Sequence, residues 1–372
     1  MASVSPADWP GPAASFQTPS RAAAGRRTDI DTLRAMACIA LVSYHVVGST
    51  PSAGLELPYD HWLSMLNRTP MDLRMPLFSF ISGLVFVAIP SRGAGAAVGA
   101  KARRLLLPML CVGALFWGLR GGMGIDQQPL WSIPFLPYEH YWFLQSTFLL
   151  MAVMLGLTQM LGGRDRLAAG LIGAGAAVLW LVGPRAEPDL MSLNGAIKLG
   201  PFFCGGYLAA RWPLLWSWRS SPLGAIPAGR GIGLGLLAAV LLAGSVLAVL
   251  PDAQGTTWRR AMTLWIGGAG CLALVLVRPR SRALARLGRQ SYAIYLFHVF
   301  FTAGLRELCL ATFPHVTAEA LWLPCLALGL AGPVLVARMA AVHPLSALLF
   351  LGVRLRRRAG RGTGALGPVP AE

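Results

Sequence analysis

The sequence predicts an all-α polytopic membrane protein with about ten transmembrane helices and both termini in the cytoplasm. Its 372 residues are 55% apolar and only 13% charged, whereas a soluble domain carries about 25% charged residues. That leaves too little polar surface to cover a soluble globule, which excludes a cytosolic enzyme, a secreted disulfide scaffold and a disordered protein. The number of apolar stretches and the placement of the basic residues supply the span count and the orientation.

Ten stretches approach the roughly 20 apolar residues that a helix needs to cross the hydrocarbon core. The sixth is the most polar, because it contains Lys198, Pro201 and the Gly205–Gly206 pair, and it is expected to be kinked or partly unwound. The ten predicted spans are Thr32–Ser49, Leu73–Ile89, Leu105–Leu119, Tyr141–Leu161, Leu167–Val182, Leu193–Ala210, Ile232–Leu250, Ala261–Val277, Ser291–Phe313 and Ala320–Val342.

The basic residues alternate with these spans. With the N-terminus inside, 24 of the 32 Lys and Arg residues fall in cytoplasmic segments and eight in outer ones. This positive-inside bias predicts an even number of spans. It also accounts for the net charge of +17 through topology and contact with membrane lipids, so no nucleic-acid partner is expected.

The two ends of the chain have a different composition from the middle. We expect residues 1–28 to be a disordered cytoplasmic tail, 29–345 the transmembrane domain, and 346–372 a basic, Gly/Pro-rich cytoplasmic tail. The six cysteines form no CxxC pair, so neither a disulfide framework nor a metal site is expected. The oligomeric state is left open.

An ionisable residue inside a membrane is costly and suggests function, and the first span holds the clearest example. His45 follows Arg34 by 11 residues, which places it about 16 Å deeper and within about 20° of the same helix face. The two residues therefore share one stripe without touching. The structural alternative is a buried His45 bonded to a neighbouring helix, with Arg34 as an interface anchor.

Polar residues also occur on the second and third spans. Arg74 is expected at the outer lip, and Ser82 lies deeper, where close helix packing is the simpler interpretation. Lys101, Arg103 and Arg104 precede the third span. They suit either lipid anchoring or a phosphate clamp at the cytoplasmic mouth.

The fourth and ninth spans carry further histidines beside aromatic residues. His140 and Trp142 are predicted at the outer lip, where they could meet an extracytoplasmic substrate. Tyr295 and His298 lie on the ninth span, with His298 about 10 Å inside it. A second intramembrane histidine favours a polar cavity.

Five of these segments together resemble the acyltransferase 3 family, specifically its sugar O-acetylase-like branch. The resemblance covers about residues 27–345 and rests on DIDTLRA…SYH, RMPLFSFISG, KARRLLLP, YWFL and SYAIYLFH, in the order and on the spans expected. It implies a membrane O-acyltransferase of the bacterial inner membrane. The implied donor is acyl-CoA, with acetyl favoured over succinyl, and the implied acceptor is a surface or exported glycan, such as exopolysaccharide, or its lipid-linked precursor.

The family's site residues can be placed by position. The pattern of an Arg, ten residues and a His falls on Arg34 and His45, the expected catalytic residues. The family's Arg-x-x-Arg pair falls on Lys101 and Arg104, with Arg103 between them. Lys101 replaces an Arg, so it can offer a point charge in place of a bidentate contact. Positions expected to hold the acceptor or to support the site are Asp31, Arg74, Ser82, His140, Trp142, Tyr295 and His298.

The expected mechanism uses His45 as general base on the acceptor hydroxyl, with an acyl-histidine intermediate as the alternative. His298, Tyr295 and Ser82 are the candidates for an oxyanion donor. Two other interpretations of the fold remain: a transporter or flippase of sugars, and a non-catalytic subunit of a polysaccharide assembly complex.

Overall fold

A computed structural model describes residues 27–89, 93–125, 127–212, 227–250, 256–357 and 366–368. Most of the predicted N-terminal tail therefore lies outside the described residues. The described part folds almost entirely into helices. They are α1 Thr28–Val47, α2 Trp62–Arg68, α3 Met71–Leu84, α4 Ala94–Gly122, α5 Trp142–Met160, α6 Asp165–Val182, α7 Leu193–Ala210, α8 Pro227–Val249, α9 Thr257–Val277, α10 Arg282–Gly288, α11 Ser291–Thr312, α12 Ala318–Ala340 and α13 Pro344–Leu351.

Eight of the described helices are long and apolar enough to cross a membrane: α1, α4, α5, α6, α8, α9, α11 and α12. The predicted all-α polytopic membrane protein is confirmed. Every one of the ten predicted spans corresponds to a helix, and α3 and α7 are the two outside the set of eight. The cytoplasmic placement of the two termini stays a prediction.

The helices α3 and α7 form a closely packed pair. A Cβ atom added to Gly83 of α3 would lie 1.9 Å from the carbonyl oxygen of Phe203, and one added to Gly206 of α7 would lie 2.0 Å from that of Phe80. Glycine is therefore required where the two backbones touch. The close helix packing considered for Ser82 is found at the next residue, Gly83. With 14 residues, α3 rises only about 21 Å, less than a hydrocarbon core of about 30 Å.

Helix α1 lies at the centre of the bundle and packs against α3, α10, α11 and α12. Its start is fixed by Thr32, whose hydroxyl donates to the carbonyl of Thr28 at 2.7 Å and accepts from the backbone N–H of Ser281 at 3.1 Å. At Gly288 an added Cβ would lie 1.8 Å from the carbonyl oxygen of Asp31, so α10 crosses directly over the first turns of α1. This packing fixes the orientation of the face that carries Arg34 and His45.

The C-terminal segment continues as a helix past the predicted boundary of the transmembrane domain. Helix α13 spans that boundary at residue 346, because the run PLSALLFL is apolar. Its N-terminus is capped by His343, whose Nδ1 accepts from the N–H of Leu345 at 3.2 Å. Beyond it, two three-residue strands, β1 Leu355–Arg357 and β2 Leu366–Pro368, pair antiparallel.

Candidate active site

Three imidazole rings from distant parts of the chain meet inside the bundle. His45 lies near the end of α1, His140 in the 3₁₀ turn Glu139–Tyr141 that leads into α5, and His298 in α11. The ring centres of His45 and His298 are 4.9 Å apart, those of His140 and His298 5.0 Å, and those of His45 and His140 5.7 Å. The three sequence-predicted histidines are therefore brought together.

The tautomer of His298 follows from its hydrogen bonds. Its Nδ1 lies 2.8 Å from the carbonyl oxygen of Ile294 and 3.0 Å from that of Tyr295. A carbonyl oxygen only accepts, so Nδ1 carries the proton and Nε2 of the neutral ring carries the lone pair. That Nε2 atom is buried and has no hydrogen-bond partner among the described residues. It is a buried acceptor next to two imidazoles.

His140 is held in place by the helix that carries His298. The hydroxyl of Tyr295 donates to the backbone carbonyl of His140, and the hydroxyl of Tyr141 donates to that of Leu296 at 3.3 Å. Nε2 of His140 is also buried and has no hydrogen-bond partner among the described residues. Two unsatisfied imidazole nitrogens in one buried place are costly unless a ligand completes them.

His45 and His140 line a cavity of about 610 Å³, which we name the histidine cavity. This size falls within the range of about 300–1,000 Å³ usual for small-molecule sites. Its lining includes Tyr44, Arg74 and Trp142. His298 is fully buried and does not itself line the cavity. In the described part of the chain, no group of three or more His, Cys, Asp or Glu side chains is arranged to hold a metal ion.

Arg74 is a buried cation in the wall of this cavity. Its guanidinium carbon lies 3.6 Å from the ring centre of Tyr44, and the residue is only 6% exposed. Its Nε and Nη1 atoms are buried and have no hydrogen-bond partner among the described residues. Its position at the outer lip stays a prediction, but its side chain is buried because α3 packs between α1, α7 and α9. Arg74 offers donor groups next to His45.

Further charged residues line the cavity and were not identified from the sequence as site residues: Asp72, Arg120, Glu139, Lys198 and Arg306. Asp72 lines it and pairs with the buried Arg259 of α9, whose Nη1 lies 2.7 Å from a carboxylate oxygen of Asp72. The hydroxyl of Thr263 donates to the other carboxylate oxygen at 3.0 Å. Lys198 of α7 also lines the cavity. The sequence feature that could have identified it is a lysine in an otherwise apolar helix.

One buried amide fastens the two loops beside the site. Gln145 is 1% exposed, and its Nε2 donates to the carbonyls of Ile133 and Leu136 at 3.0 and 3.2 Å. Its Oε1 accepts from the hydroxyl of Ser192 at 2.5 Å. The loop before His140 and the loop before α7 are therefore fixed to the same side chain.

Arg34 and Asp31 lie nearer the start of α1. Arg34 donates to a carboxylate oxygen of Asp31 at 3.2 Å. Between Arg34 and His45 on the shared stripe lies Cys38, which is fully buried, with Sγ 3.9 Å from the carbonyl oxygen of Ser291. The residues of α1 that line the histidine cavity begin at Leu41, so Arg34 is outside that lining.

Lys101, Arg103 and Arg104 lie on α4, also outside the lining of the histidine cavity. Arg104 is engaged structurally: its Nη1 donates to the carbonyl of Leu351 at 2.6 Å, at the end of α13, where a cation is favourable. Nε of Arg103 is buried and lacks a partner among the described residues. Lys101 lies 5.8 Å from the ring centre of Phe86.

Helix α11 connects this cationic segment to the histidines. The hydroxyl of Tyr292 donates to the backbone carbonyl of Arg104 at 2.6 Å, and Ser291 contacts Cys38. His298 lies six residues beyond Tyr292, a rise of about 9 Å along the helix. Along α11, the contact with α4 at Tyr292 and the imidazole of His298 are thus about two helical turns apart.

Ser82 is not part of this arrangement. Its hydroxyl donates to the carbonyl of Phe78 in its own helix at 2.9 Å, and it does not line the histidine cavity. This placement agrees with the packing interpretation.

Comparison with known proteins decides the family. The family model of the acyltransferase 3 domain, described as an acyltransferase domain, matches residues 27–338. The chain belongs to the acyltransferase 3 family. The predicted family is confirmed, and the chain is an integral membrane protein.

A curated relative supports the assignment over part of the chain. The nodulation protein NolL of Mesorhizobium japonicum (strain LMG 29417 / CECT 9101 / MAFF 303099) is 31% identical to this chain over 168 residues. The match covers 42% of each protein. No solved structure matches the chain.

Proposed function

We propose that this acyltransferase moves an acyl group, in the first instance acetyl, from acyl-CoA to a hydroxyl of a surface or exported glycan or of its lipid-linked precursor. The bacterial inner membrane is the proposed location, with both termini in the cytoplasm. The observation that carries the proposal is the meeting of His45, His140 and His298 at a cavity inside a membrane-spanning bundle. A half-buried imidazole in the wall of a substrate-sized cavity suits proton abstraction from a hydroxyl.

His45 is the proposed general base, and His298 orients it. With its proton on Nδ1, His298 presents an Nε2 lone pair, and the ring centres are 4.9 Å apart. A neutral His45 that donates one ring N–H to this acceptor keeps its other nitrogen as a lone pair for the acceptor hydroxyl. A base positioned in this way contributes about 10²–10⁴-fold to the rate.

Arg74 is the proposed donor to the thioester oxygen. The hydroxyl oxygen attacks the thioester carbonyl as its proton passes to His45, and negative charge develops on the carbonyl oxygen. Nε and Nη1 of Arg74 are buried at the cavity without partners among the described residues, so they can stabilise that charge without first breaking an internal bond. Collapse of the intermediate expels the CoA thiolate, which takes the proton from His45. An acyl-histidine intermediate remains the alternative route.

The acyl-CoA phosphates are proposed to bind at Lys101 and Arg103, with Arg34 and Arg104 nearby. Since α11 joins this segment to His298 over about two turns, the pantetheine arm would run along α11 and α1 toward His45. Cys38 closes that path, so its small side chain and the first turn of α11 must yield when the donor enters. Arg104 already binds the end of α13, which makes Arg103 the freer phosphate ligand.

The proposal is tested by transfer of label from [acetyl-¹⁴C]acetyl-CoA to glycan, using purified full-length protein in lipid nanodiscs. We expect transfer by the unaltered protein, and a His45→Ala variant to lose at least about 100-fold in rate. His315→Ala changes an exposed histidine and is the matched control. A folded His45→Ala protein with full activity would overturn the assignment of the base, and absence of transfer from any acyl-CoA would overturn the proposed donor.

A further inference from the structure

A second cavity adjoins the site and has the composition of a carbohydrate subsite. It measures about 300 Å³ and is lined by residues from the ends of α5, α6, α7 and α9 and the loop before α7. We name it the tryptophan cavity, after Trp142 and Trp180 in its wall. Trp142 and Lys198 line both this cavity and the histidine cavity, so the two spaces share a wall.

The geometry points to the tryptophan cavity as the binding site for a sugar unit next to the one that is acylated, so that the acceptor is an oligosaccharide. This inference rests on the proposed transfer to a glycan. One sugar would place its hydroxyl at His45 in the histidine cavity. Its neighbour in the acceptor chain would lie across Trp142, in the tryptophan cavity.

The lining combines the two kinds of group that a sugar ring needs. Indole rings offer flat apolar faces to the C–H side of a pyranose, and fixed polar groups bind its hydroxyls. The charged groups here are Arg185, Asp189 and Arg260, together with Lys198 at the shared wall. Nε of Arg260 is buried and has no hydrogen-bond partner among the described residues.

The indole ring of Trp180 is held rigidly. Its Nε1 donates to the carbonyl of Arg260 at 3.0 Å, and Nη1 of Arg260 donates back to the carbonyls of Trp180 and Gly183 at 3.1 and 3.0 Å. Lys198 and Arg260 lie 5.5 and 5.6 Å from the ring centre. A ring fixed before the ligand arrives loses little freedom on binding, which favours affinity.

The loop that completes the tryptophan cavity is likewise held in a fixed conformation before a ligand binds. Asn194 exchanges two hydrogen bonds with the backbone of Ala186, at 2.8 and 3.0 Å, and its own N–H donates to Asp189 at 2.9 Å. Met191 and Ser192 both hold left-handed backbone, with φ of 53° and 54°. Non-glycine residues keep this conformation only where their surroundings enforce it, commonly at ligand sites.

The test compares acceptors of different length. Surface glycan from cells that carry the gene is de-O-acetylated with mild alkali, partly hydrolysed and separated into fractions of one to four sugar units. Purified full-length protein in nanodiscs is given [acetyl-¹⁴C]acetyl-CoA and each fraction. We expect kcat/KM to rise about tenfold or more between one and two units.

The variants Trp180→Ala and Arg185→Ala are expected to raise KM for the two-unit acceptor and to remove its advantage over one unit. Arg185 is exposed, so its substitution keeps the test valid if Trp180→Ala fails to fold. Trp265→Ala, which changes a half-exposed tryptophan of α9, is the matched control and should behave like the unaltered protein.

Hydrolysis of acetyl-CoA measured without an acceptor distinguishes failure of this inference from failure of the proposed function. If hydrolysis depends on His45 but neither acceptor length nor the two variants alter transfer, the subsite is refuted and the catalytic proposal stands. If His45→Ala leaves hydrolysis unchanged, the catalytic proposal fails. Absence of transfer to every fraction would overturn the oligosaccharide acceptor itself.

Discussion

The ring centres of His45 and His298 lie 4.9 Å apart, although the two residues are separated by more than two thirds of the chain. The backbone carbonyls of Ile294 and Tyr295 fix the proton of His298 on Nδ1. The helix backbone of α11 thereby determines which nitrogen faces the histidine cluster. The chemistry assigned to His45 depends on this arrangement.

Removing the acceptor nitrogen of His298 should slow the reaction without weakening donor binding. We expect His298→Leu to lower kcat about 100-fold with KM for acetyl-CoA unchanged. His298→Gln should lose less, because its side-chain oxygen is a hydrogen-bond acceptor, as the free Nε2 is. Steady-state kinetics on both variants test this. Equal losses in the two variants would show that His298 acts by packing alone.

Arg74 should contribute to the chemical step. We expect Arg74→Gln to lower kcat about 10²–10³-fold, the usual effect of losing one oxyanion donor. Added guanidinium should restore part of the activity of an Arg74→Ala variant by occupying the vacated space. The matched control is Arg68→Lys, since Arg68 also stacks on a tyrosine, at 4.8 Å from the ring centre of Tyr59. An Arg74→Gln protein with normal kcat would refute the role.

The cations of α4 should act on donor affinity. Lys101→Ala and Arg103→Ala are each expected to raise KM for acetyl-CoA about tenfold, through loss of a charge-assisted contact, with kcat retained. Arg104→Ala should in addition lower thermal stability, since it removes the bond to Leu351. Arg166→Ala, at an exposed arginine, serves as control. An unchanged KM in the Lys101/Arg103 double variant would exclude the clamp.

Neighbouring glycines of α7 offer a direct test of the α3–α7 contact. Gly206→Ala should destabilise the protein by about 1–3 kcal/mol or more, because its Cβ would lie 2.0 Å from the carbonyl oxygen of Phe80. Gly205→Ala meets its nearest neighbour at 4.0 Å and should be neutral or slightly stabilising. Thermal unfolding followed by dye labelling of the buried cysteines measures both. Equal stabilities would contradict the packing.

The sequence predicted the helices well because hydropathy is a local property of about 20 residues. His45 could be identified from the sequence for the same reason, since a histidine in an apolar span is conspicuous. The approach of His140 and His298 to His45 could not be predicted, because helix packing over long sequence separations leaves no local pattern. Arg74 was expected at the outer lip, but the sequence could not show that its side chain would be buried between α1, α7 and α9.

The proposed binding site for acyl-CoA was harder to predict from the sequence than the catalytic histidine. A cluster of basic residues before a span fits both lipid anchoring and phosphate binding, and only the structure shows that Arg104 already holds the end of α13. Arg259 was missed because its partner, Asp72, lies 187 residues away along the chain. Charge alone did not reveal that the two neutralise each other inside the bundle.

The carboxamide of Gln145 links two loops that are far apart in the sequence, so they move together. Residues 129–138 and 190–192 are both anchored to this side chain, and each contributes one residue, Pro137 and Ser192, to the wall of the tryptophan cavity. A change in one segment is therefore transmitted to the other. Retargeting the enzyme to a different glycan should succeed when both segments are exchanged as a cassette, and fail when either is grafted alone.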